Sequence, residues 1–209
     1  MINSDSVKNK RIEEAQIIVG EYADVFANLK INGDFSKIID VIFLCKGKII
    51  TSGMGKAGIA MRKFSSLLCS LGFPSTYLHP GEASHGDLGV LAEEDVLFIA
   101  STSGKTREIL ELISLSKSLH ITKIIGITSH IDSPLRKECD LILDMGVIEE
   151  AGHLSLAPTS SILVMLALAD CIALIAAKEK GFTTSDYLLR HHSGYLGEKA
   201  RNNISERRD

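Results

Sequence analysis

A buried strand followed at once by a hydroxyl-rich turn and a helix is the feature that limits this chain most. Residues 96–100, V-L-F-I-A, form a continuous apolar run, which is typical of a central parallel strand covered on both faces. The turn that follows, residues 101–106, reads S-T-S-G-K-T, and apolar residues then recur at helical spacing between Ile109 and Leu115. A strand that leads directly into a helix is the first part of a βαβ unit, whose next strand returns parallel to the first. This pattern therefore predicts an α/β fold around a parallel sheet.

The turn at residues 101–106 combines four hydroxyl side chains with Gly104 at a predicted helix N-terminus. Helix N-termini present unpaired N–H groups and a partial positive charge, so hydroxyls beside them suit a phosphate monoester. A simple helix cap needs only one hydroxyl. The letters S-G-K-T also resemble the end of the nucleotide pattern G-x-x-x-x-G-K-[ST], but Ile99 occupies the position of the first glycine. We therefore exclude an ATP or GTP loop and predict a site for one phosphate.

The composition is that of one globular domain with a sizeable core. The chain has 209 residues, 45% of them hydrophobic, and a net charge of −3, which argues against a nucleic-acid partner. The N-terminus lacks the apolar core of a signal peptide, and the apolar run at residues 162–169 is too short to span a bilayer. We therefore predict a cytoplasmic protein without a membrane partner. No C-x-x-C pattern occurs, and we interpret the cysteines as reduced core residues: Cys45, Cys69, Cys139 and Cys171.

Apolar runs alternate with helical patterns along the chain. The predicted strands are residues 48–52, 75–79, 96–100, 123–128 and 140–145. Such alternation predicts a three-layer αβα sandwich with a five-stranded parallel sheet, in a single domain that covers residues 1–209. Two helices at residues 6–29 and 36–45 precede the first strand, have no sheet crossover to make, and are available for subunit contacts. We expect the charged tail, residues 198–209, to be frayed.

The loops that follow the strands carry most of the polar residues. Ligands of doubly wound sheets bind beyond the carboxyl ends of the strands, where these loops converge. The loops are residues 52–56, 79–89, 101–106 and 146–157. The sequence therefore predicts one binding site at this edge of the sheet.

The loop after the first strand contains Gly53-x-Gly55-x-x-Gly58, which formally matches the dinucleotide fingerprint. A dinucleotide site also needs an acidic residue at the end of the second strand, and this strand ends at His79. We therefore disfavour a dinucleotide. Lys56 either places a cation beside a sugar hydroxyl or phosphate, or is an ordinary exposed lysine in a first helical turn.

The loop at residues 79–89, H-P-G-E-A-S-H-G-D-L-G, is suited to more than one kind of chemistry. Imidazole and carboxylate groups ligate metals, and the candidates here are His79, Glu82, His85 and Asp87. An imidazole also moves protons near neutral pH, so a catalytic or substrate-binding histidine is an equal alternative. The third interpretation is a loop histidine that hydrogen-bonds to the backbone.

Two further groups are candidates for the same site. Glu149 and Glu150 follow the last strand, and either one of them is a general base or both lie on a solvated loop. His191 and His192 lie in a glycine-containing turn after the fold is complete. They look incidental in a monomer, whereas a C-terminal segment that crossed to another subunit would complete that subunit's site.

Taken together, these motifs resemble the sugar isomerase (SIS) domain of arabinose-5-phosphate isomerases. The matching segments are G-M-G-K-A-G at 53–58, H-P-G-E-A-S-H-G-D-L-G at 79–89, residues 101–108, L-A-P-T-S-S at 156–161 and G-F-T at 181–183. Motifs as long as the second and fourth are far more specific than a glycine pattern alone. The resemblance covers about residues 10–200 and implies a flavodoxin-like SIS fold. It also implies interconversion of D-ribulose 5-phosphate and D-arabinose 5-phosphate, the entry to Kdo of lipopolysaccharide and some capsules.

The resemblance implies roles for individual residues. It places the family's functional positions on Lys56, Glu108, Glu150 and His191, and its loop histidines on His79 and His85. We expect Glu150 to remove the proton between C1 and C2 to give a cis-enediol, with His85 as the rival base. His191, from a neighbouring subunit, would serve the sugar oxygens. We assign substrate binding to Ser52, Gly53, Lys56, His79, His85, Ser101, Thr102, Ser103, Lys105 and Thr106.

The resemblance further links His79 to inhibitory zinc, and it suggests a homotetramer with shared active sites; we expect that no cofactor is required. Lys105 and Thr106 replace the usual E-S of S-G-E-S, and His192 and Ser193 replace P-G in the usual H-P-G-G-x-L-G. The usual pair of C-terminal CBS domains is missing, so the chain resembles the single-domain form. The alternative functions are a non-catalytic sugar-phosphate sensor and an isomerase of a hexose phosphate.

Overall fold

A five-stranded parallel sheet forms the centre of the computed structural model, which describes residues 5–31, 34–121 and 123–205. The strands are β1 (Ile49–Gly53), β2 (Ser75–Tyr77), β3 (Val96–Ala100), β4 (Lys123–Thr128) and β5 (Leu141–Asp144). Their order is β2-β1-β3-β4-β5, and each neighbouring pair is parallel. This is the flavodoxin-like order, and it confirms the predicted sheet.

Helices cover both faces of the sheet. They are α1 (Asp5–Ala27), α2 (Asp34–Leu44), α3 (Gly55–Ser70), α4 (Pro80–Ala83), α5 (Arg107–Ser118), α6 (Pro134–Glu138), α7 (Ser160–Glu179), α8 (Thr184–Leu188) and α9 (Gly194–Ser205), with a 3-10 turn at Asp87–Val90. One core cluster joins the sheet to α2, α3 and α7, and a second joins it to α4, α5 and α6. The three-layer αβα sandwich is thereby confirmed.

The position of β3 between two layers of helices explains why its sequence is continuously apolar. Successive side chains of a strand point to opposite faces. Val96, Phe98 and Ala100 accordingly lie in the cluster with α3 and α7, whereas Leu97 and Ile99 lie in the cluster with α5. All five residues are buried, so every position of this strand needs an apolar side chain.

One face of α2, a helix that we predicted to be available for subunit contacts together with α1, packs into the core of its own chain. Its residues Phe35, Ile38 and Ile42 are buried in the cluster with α7, because α2 packs against α7 and β5. By contrast α1 leaves apolar side chains in solvent, and Ile12 and Ile17 are 58% and 63% exposed. In α2 the exposed large apolar side chains are Phe43 and Leu44, at the end of the helix.

Helix α7 begins after its N-cap Thr159 and extends well beyond the apolar run at residues 162–169. Within the described ranges, α7 is the one helix that is long and apolar enough to cross a membrane, judged by length and composition. The short apolar run at residues 162–169 did not predict this. In the fold 56% of that window is buried, since α7 packs against α2 and α3.

Two smaller predictions also need correction. The tail expected to fray from residue 198 is helical over residues 198–205, where α9 continues; residues 206–209 lie outside the described ranges. Cys69 and Cys171 are exposed and Cys45 and Cys139 are half-buried, so the cysteines are not the core residues we expected. All four are free.

One buried carboxylate fastens the amino ends of two central strands. Asp95, only 2% exposed, accepts hydrogen bonds from the Lys48 N–H at 2.8 Å, the Lys48 Nζ at 2.7 Å and the Ala92 N–H at 2.8 Å. Lys48 precedes β1 and Asp95 precedes β3. The pair therefore joins the loops that start the two strands at the centre of the sheet.

We expect Asp95→Ala to lower the free energy of unfolding by about 3 kcal/mol, because it leaves two N–H groups and a cation without their acceptor. Urea unfolding at neutral pH measures this change. The matched control is Glu94→Ala, since the Glu94 side chain is exposed next to Asp95. Equal losses in the two variants would show that the Asp95 contacts contribute nothing of their own.

Candidate active site

The hydroxyl turn, residues 101–106, lies between the carboxyl end of β3 and the first residue of α5. Ser101 Oγ and Thr106 Oγ1 are 2.8 Å apart, and the Gly104 N–H donates to Ser101 Oγ at 3.0 Å. Thr106 is the N-cap of α5, but over the described residues its side chain makes no capping bond, because it is turned to Ser101. The first N–H groups of the twelve-residue α5 are thus left for an anion.

The end of β4 and the segment after it support the hydroxyl turn. Sequence reasoning missed this support. The Thr102 carbonyl accepts from the Ser129 N–H and Thr128 Oγ1, each at 3.1 Å, and the Leu135 N–H donates to the Gly104 carbonyl at 3.1 Å. Gly104 has a φ of +62°, and a Cβ there would lie 2.4 Å from Ser133 Oγ. The glycine is therefore required both by its backbone conformation and by the close approach of Ser133.

Lys105 and Glu108 lie on either side of the start of α5. Lys105 is exposed and lines a 480 Å³ cleft on the side of β4 and β5, together with Ser129, His130, Ile131, Asp132, Val147 and Ile148. Glu108 is half-buried in the first turn of α5. The structure thus places both predicted residues at the edge that carries the hydroxyl turn.

The glycine turn, residues 53–58, leads from β1 into α3. Gly58 lets this turn close, since a Cβ at that position would lie 2.4 Å from the Gly53 carbonyl oxygen. Lys56 is exposed in the first turn of α3. Ser52 is fully buried, and its hydroxyl donates to the Leu78 carbonyl at 2.7 Å. The Ser52 hydroxyl is therefore engaged within the protein, whereas we had assigned it to the substrate.

The histidine loop, residues 79–89, follows β2 and contains α4, which contacts α5. His79 is the N-cap of α4, and its buried Nδ1 finds no hydrogen-bond partner among the described residues. His85 is exposed. Among residues 5–31, 34–121 and 123–205, no three His, Cys, Asp or Glu side chains are grouped to hold a metal ion. The four-ligand set considered for this loop is thus not assembled in the chain.

Glu150 lies at the N-terminus of α7, where four groups donate to its carboxylate. Oε2 accepts from the Thr159 N–H at 2.7 Å, Thr159 Oγ1 at 3.2 Å and the Ser161 N–H at 3.1 Å, and Oε1 accepts from Ser161 Oγ. Burial raises the pKa of this carboxyl, but the four hydrogen bonds outweigh burial, so the pKa lies below its ordinary value. Glu150 is therefore ionised at neutral pH and fastens its loop to α7.

His191 lies at the amino edge of the sheet, away from the hydroxyl turn of the same chain. Its neighbour Arg190 marks this position, because Arg190 Nη2 is 3.2 Å from the point where a Cβ on Gly72 would lie. Gly72 follows α3 at the amino edge of the sheet. His191 stacks on Tyr187 with ring centroids 3.9 Å apart, and its Nδ1 is 3.2 Å from the Tyr187 carbonyl oxygen. The fold thus separates His191 from the hydroxyl turn of the same chain.

The remaining predicted site residues share the carboxyl edge of the sheet. The glycine turn, the histidine loop, the hydroxyl turn and the loop with Glu150 follow β1, β2, β3 and β5, which are parallel. The strand order reverses its direction of winding between β1 and β3, and this switch point is where such sheets bind ligands. A larger cleft of 740 Å³, which includes Asp40, Glu94 and Lys123, lies at the amino edge and contains none of these residues.

Comparison with known proteins identifies the family. The model of the SIS domain family matches residues 42–175, which is more than half of the chain. The chain belongs to the SIS domain family. Arabinose 5-phosphate isomerase KdsD of Pseudomonas aeruginosa is 40% identical over 190 residues, which cover 90% of this chain and 58% of that protein. Arabinose 5-phosphate isomerase KpsF of Escherichia coli is 37% identical over 175 residues, 84% of this chain and 55% of that protein. The chain thus spans little more than half the length of the curated relatives it matches.

Solved structures share the fold of this SIS domain. A putative phosphosugar isomerase involved in capsule formation from Bacteroides fragilis has a TM-score of 0.85 at 40% identity, covering 88% of this chain and 99% of that one. The Escherichia coli CFT073 protein c3406, in complex with arabinose 5-phosphate, has a TM-score of 0.81 at 34% identity, covering 91% and 100%. Both likenesses extend over nearly the whole of the compared chains.

The contribution of Glu150 to stability should depend on pH. A carboxyl whose pKa is lower in the folded than in the unfolded chain stabilises the fold above its ordinary pKa, about 4.5 here, and loses this contribution as the pH falls. Glu150→Gln should therefore be less stable than the wild type at pH 7, and the difference should shrink between about pH 5 and pH 3. Urea unfolding across this range measures it. Glu149→Gln, at an exposed neighbour, is the control at pH 7 and should match the wild type.

Proposed function

We propose that this SIS domain is an aldose–ketose isomerase that interconverts D-ribulose 5-phosphate and D-arabinose 5-phosphate. The observation that carries the proposal is the hydroxyl turn, whose N-cap side chain is bonded to Ser101 and so leaves the first N–H groups of α5 for an anion at the switch point. The names of the KdsD and KpsF relatives, and the arabinose 5-phosphate complex of the related SIS structure, support the choice of sugar.

The substrate would bind with its phosphate on the hydroxyl turn and its open sugar chain toward the glycine turn and the loop with Glu150. A base removes a proton from C1 of the ketose while the C2 oxygen gains a proton, which gives a cis-enediol. Return of a proton to C2, with loss of the proton from the C1 hydroxyl, gives the aldose. This exchange moves only protons, so we propose that no cofactor is required. Lys56 and Glu108 would contact the sugar oxygens from the first turns of α3 and α5.

Glu150 is our proposed base, and its hydrogen bonds select one of its atoms. A carboxylate offers about four lone-pair positions over two oxygens. Three donors converge on Oε2, whereas one, Ser161 Oγ, reaches Oε1. Oε1 is therefore the atom with capacity left to take the substrate proton. The low pKa makes Glu150 a weak base, and this keeps His85 as the rival.

Isotope exchange separates the two candidates. Glu150→Gln should lower kcat by about 10²–10⁴-fold, as expected for the loss of a general base, and should abolish exchange of solvent deuterium into the substrate. His85→Ala should retain the exchange. The opposite result, with exchange lost only in His85→Ala, would move the base to His85.

Turnover of a substrate panel tests the function itself. Purified protein incubated with pentose and hexose ketose phosphates should convert D-ribulose 5-phosphate to D-arabinose 5-phosphate, which sugar analysis detects. Turnover confined to a hexose phosphate would replace the proposed substrate, and binding without turnover would favour a sugar-phosphate sensor. With the expected result, we further propose a cytoplasmic enzyme at the first step of Kdo biosynthesis.

We propose in addition that the active site is shared between subunits of a homotetramer. Helix α7 begins beside Glu150 and its 20 residues extend for about 30 Å, toward the amino edge, so His191 lies far from its own hydroxyl turn. The carboxyl edge is surrounded by exposed apolar side chains, those of Ile131, Val147, Leu154 and Leu156. Leu189 and Tyr195, on either side of His191, are also exposed. A neighbour's C-terminal segment that covered this edge would bury both sets of apolar side chains.

Subunit complementation tests the shared site. His191→Ala and Glu150→Gln proteins, each inactive alone, should regain part of the activity when mixed under conditions of subunit exchange, because some mixed sites contain both wild-type residues. Light scattering should report four subunits. Demonstrated hetero-oligomers without recovered activity would assign both residues to one subunit, and a monomer would overturn the proposal.

A further inference from the structure

Tyr77, the last residue of β2, fastens the glycine turn from outside it. Its phenol oxygen donates to the Gly53 carbonyl at 2.6 Å. Gly58 leaves the space for this contact, since a Cβ there would lie 2.7 Å from the Tyr77 Oη as well as 2.4 Å from the Gly53 oxygen. The three residues thus form one close contact in which the phenol occupies the room left by a missing side chain.

The ring of Tyr77 is itself held in place. The Arg62 guanidinium carbon lies 4.4 Å from the ring centroid, and the His79 ring is edge-on with its centroid 6.4 Å away. Burial raises the pKa of Tyr77, so the phenol remains a protonated donor at neutral pH. The Tyr77 ring is therefore held in one orientation and its hydroxyl is protonated. Tyr77 contacts both the glycine turn and the histidine loop.

The glycine turn and the hydroxyl turn have separate supports. The segment after β4 holds the hydroxyl turn through Thr102 and Gly104, whereas Tyr77 holds the glycine turn through Gly53. Lys56 follows Gly53 by three residues, on the first turn of α3. A change at Tyr77 is therefore expected to displace the groups near the sugar while the phosphate anchor stays in place.

We propose that Tyr77 is a positioning residue: it holds the glycine turn, and with it Lys56, against the sugar end of the substrate. The inference rests on the proposed sugar-phosphate site. In this proposal the phosphate of the substrate binds the hydroxyl turn and the sugar binds beside the glycine turn, and each turn has its own support in the fold. Displacement of a contacting group by about 1 Å is enough to lower a rate by about 10²-fold.

The test compares Tyr77→Phe with Ser75→Ala. Ser75 Oγ donates to the Ile49 carbonyl at 2.7 Å, so each hydroxyl bonds a β1 carbonyl from β2, at opposite ends of the same strand pair. Tyr77→Phe should lower kcat/KM by about 10–100-fold. It should also weaken binding of D-arabinose 5-phosphate in titration calorimetry, while the affinity for inorganic phosphate is unchanged. Ser75→Ala should lower the melting temperature and leave all three quantities at wild-type values.

The outcomes separate this inference from the proposed function. If the wild type is active, either of two results overturns the role of Tyr77. One is that Tyr77→Phe and Ser75→Ala behave alike, and the other is that Tyr77→Phe weakens the binding of inorganic phosphate as much as that of D-arabinose 5-phosphate. An inactive wild type overturns the isomerase proposal. In that case the calorimetric comparison still decides the role of Tyr77, because a selective loss of affinity for the sugar phosphate can be measured without turnover.

Discussion

Burial of β3 on both faces is the constraint on which the rest of the structure depends. Because this strand lies in the middle of the sheet, α3 and α7 must pack on one face and α5 on the other. The chain therefore winds in opposite directions from β1 and from β3, and their carboxyl ends diverge at a switch point. The hydroxyl turn begins there, where the buried strand β3 ends beside the N-terminus of α5.

Hydrogen bonds within the protein hold the glycine turn, the hydroxyl turn and the loop with Glu150. The Ser52 hydroxyl bonds the Leu78 carbonyl, the Thr102 carbonyl accepts from the segment after β4, and Glu150 is bonded to the start of α7. Such contacts fix a site before substrate arrives, and they reduce the ordering that binding must accomplish. Glu150 shows the conflict that follows: the donors that orient its carboxylate also lower its basicity.

Within one chain, His191 lies apart from the other residues of the candidate site. Helix α7 carries the chain from Glu150 to the far edge of the sheet, and the contact of Arg190 with Gly72 keeps the C-terminal segment there. The apolar side chains around the site and on α1 remain exposed. The self-association that we propose would account for both facts, because it would bury apolar surface and bring His191 of a neighbour to the candidate site in the same contact.

The sequence by itself determined the α/β class, the five strands, the carboxyl edge as the place of the site and the family, because apolar periodicity and long motifs are local properties of the chain. Only the tertiary structure decided which polar groups remain available. Ser52 is bonded to Leu78 of the next strand segment, and Glu150 is bonded across its loop to the start of α7. Helix α2 is covered by α7, and Tyr77 and Ser133 reach the site from neighbouring elements. Burial and hydrogen-bond partners depend on long-range packing, which no local pattern in the sequence encodes.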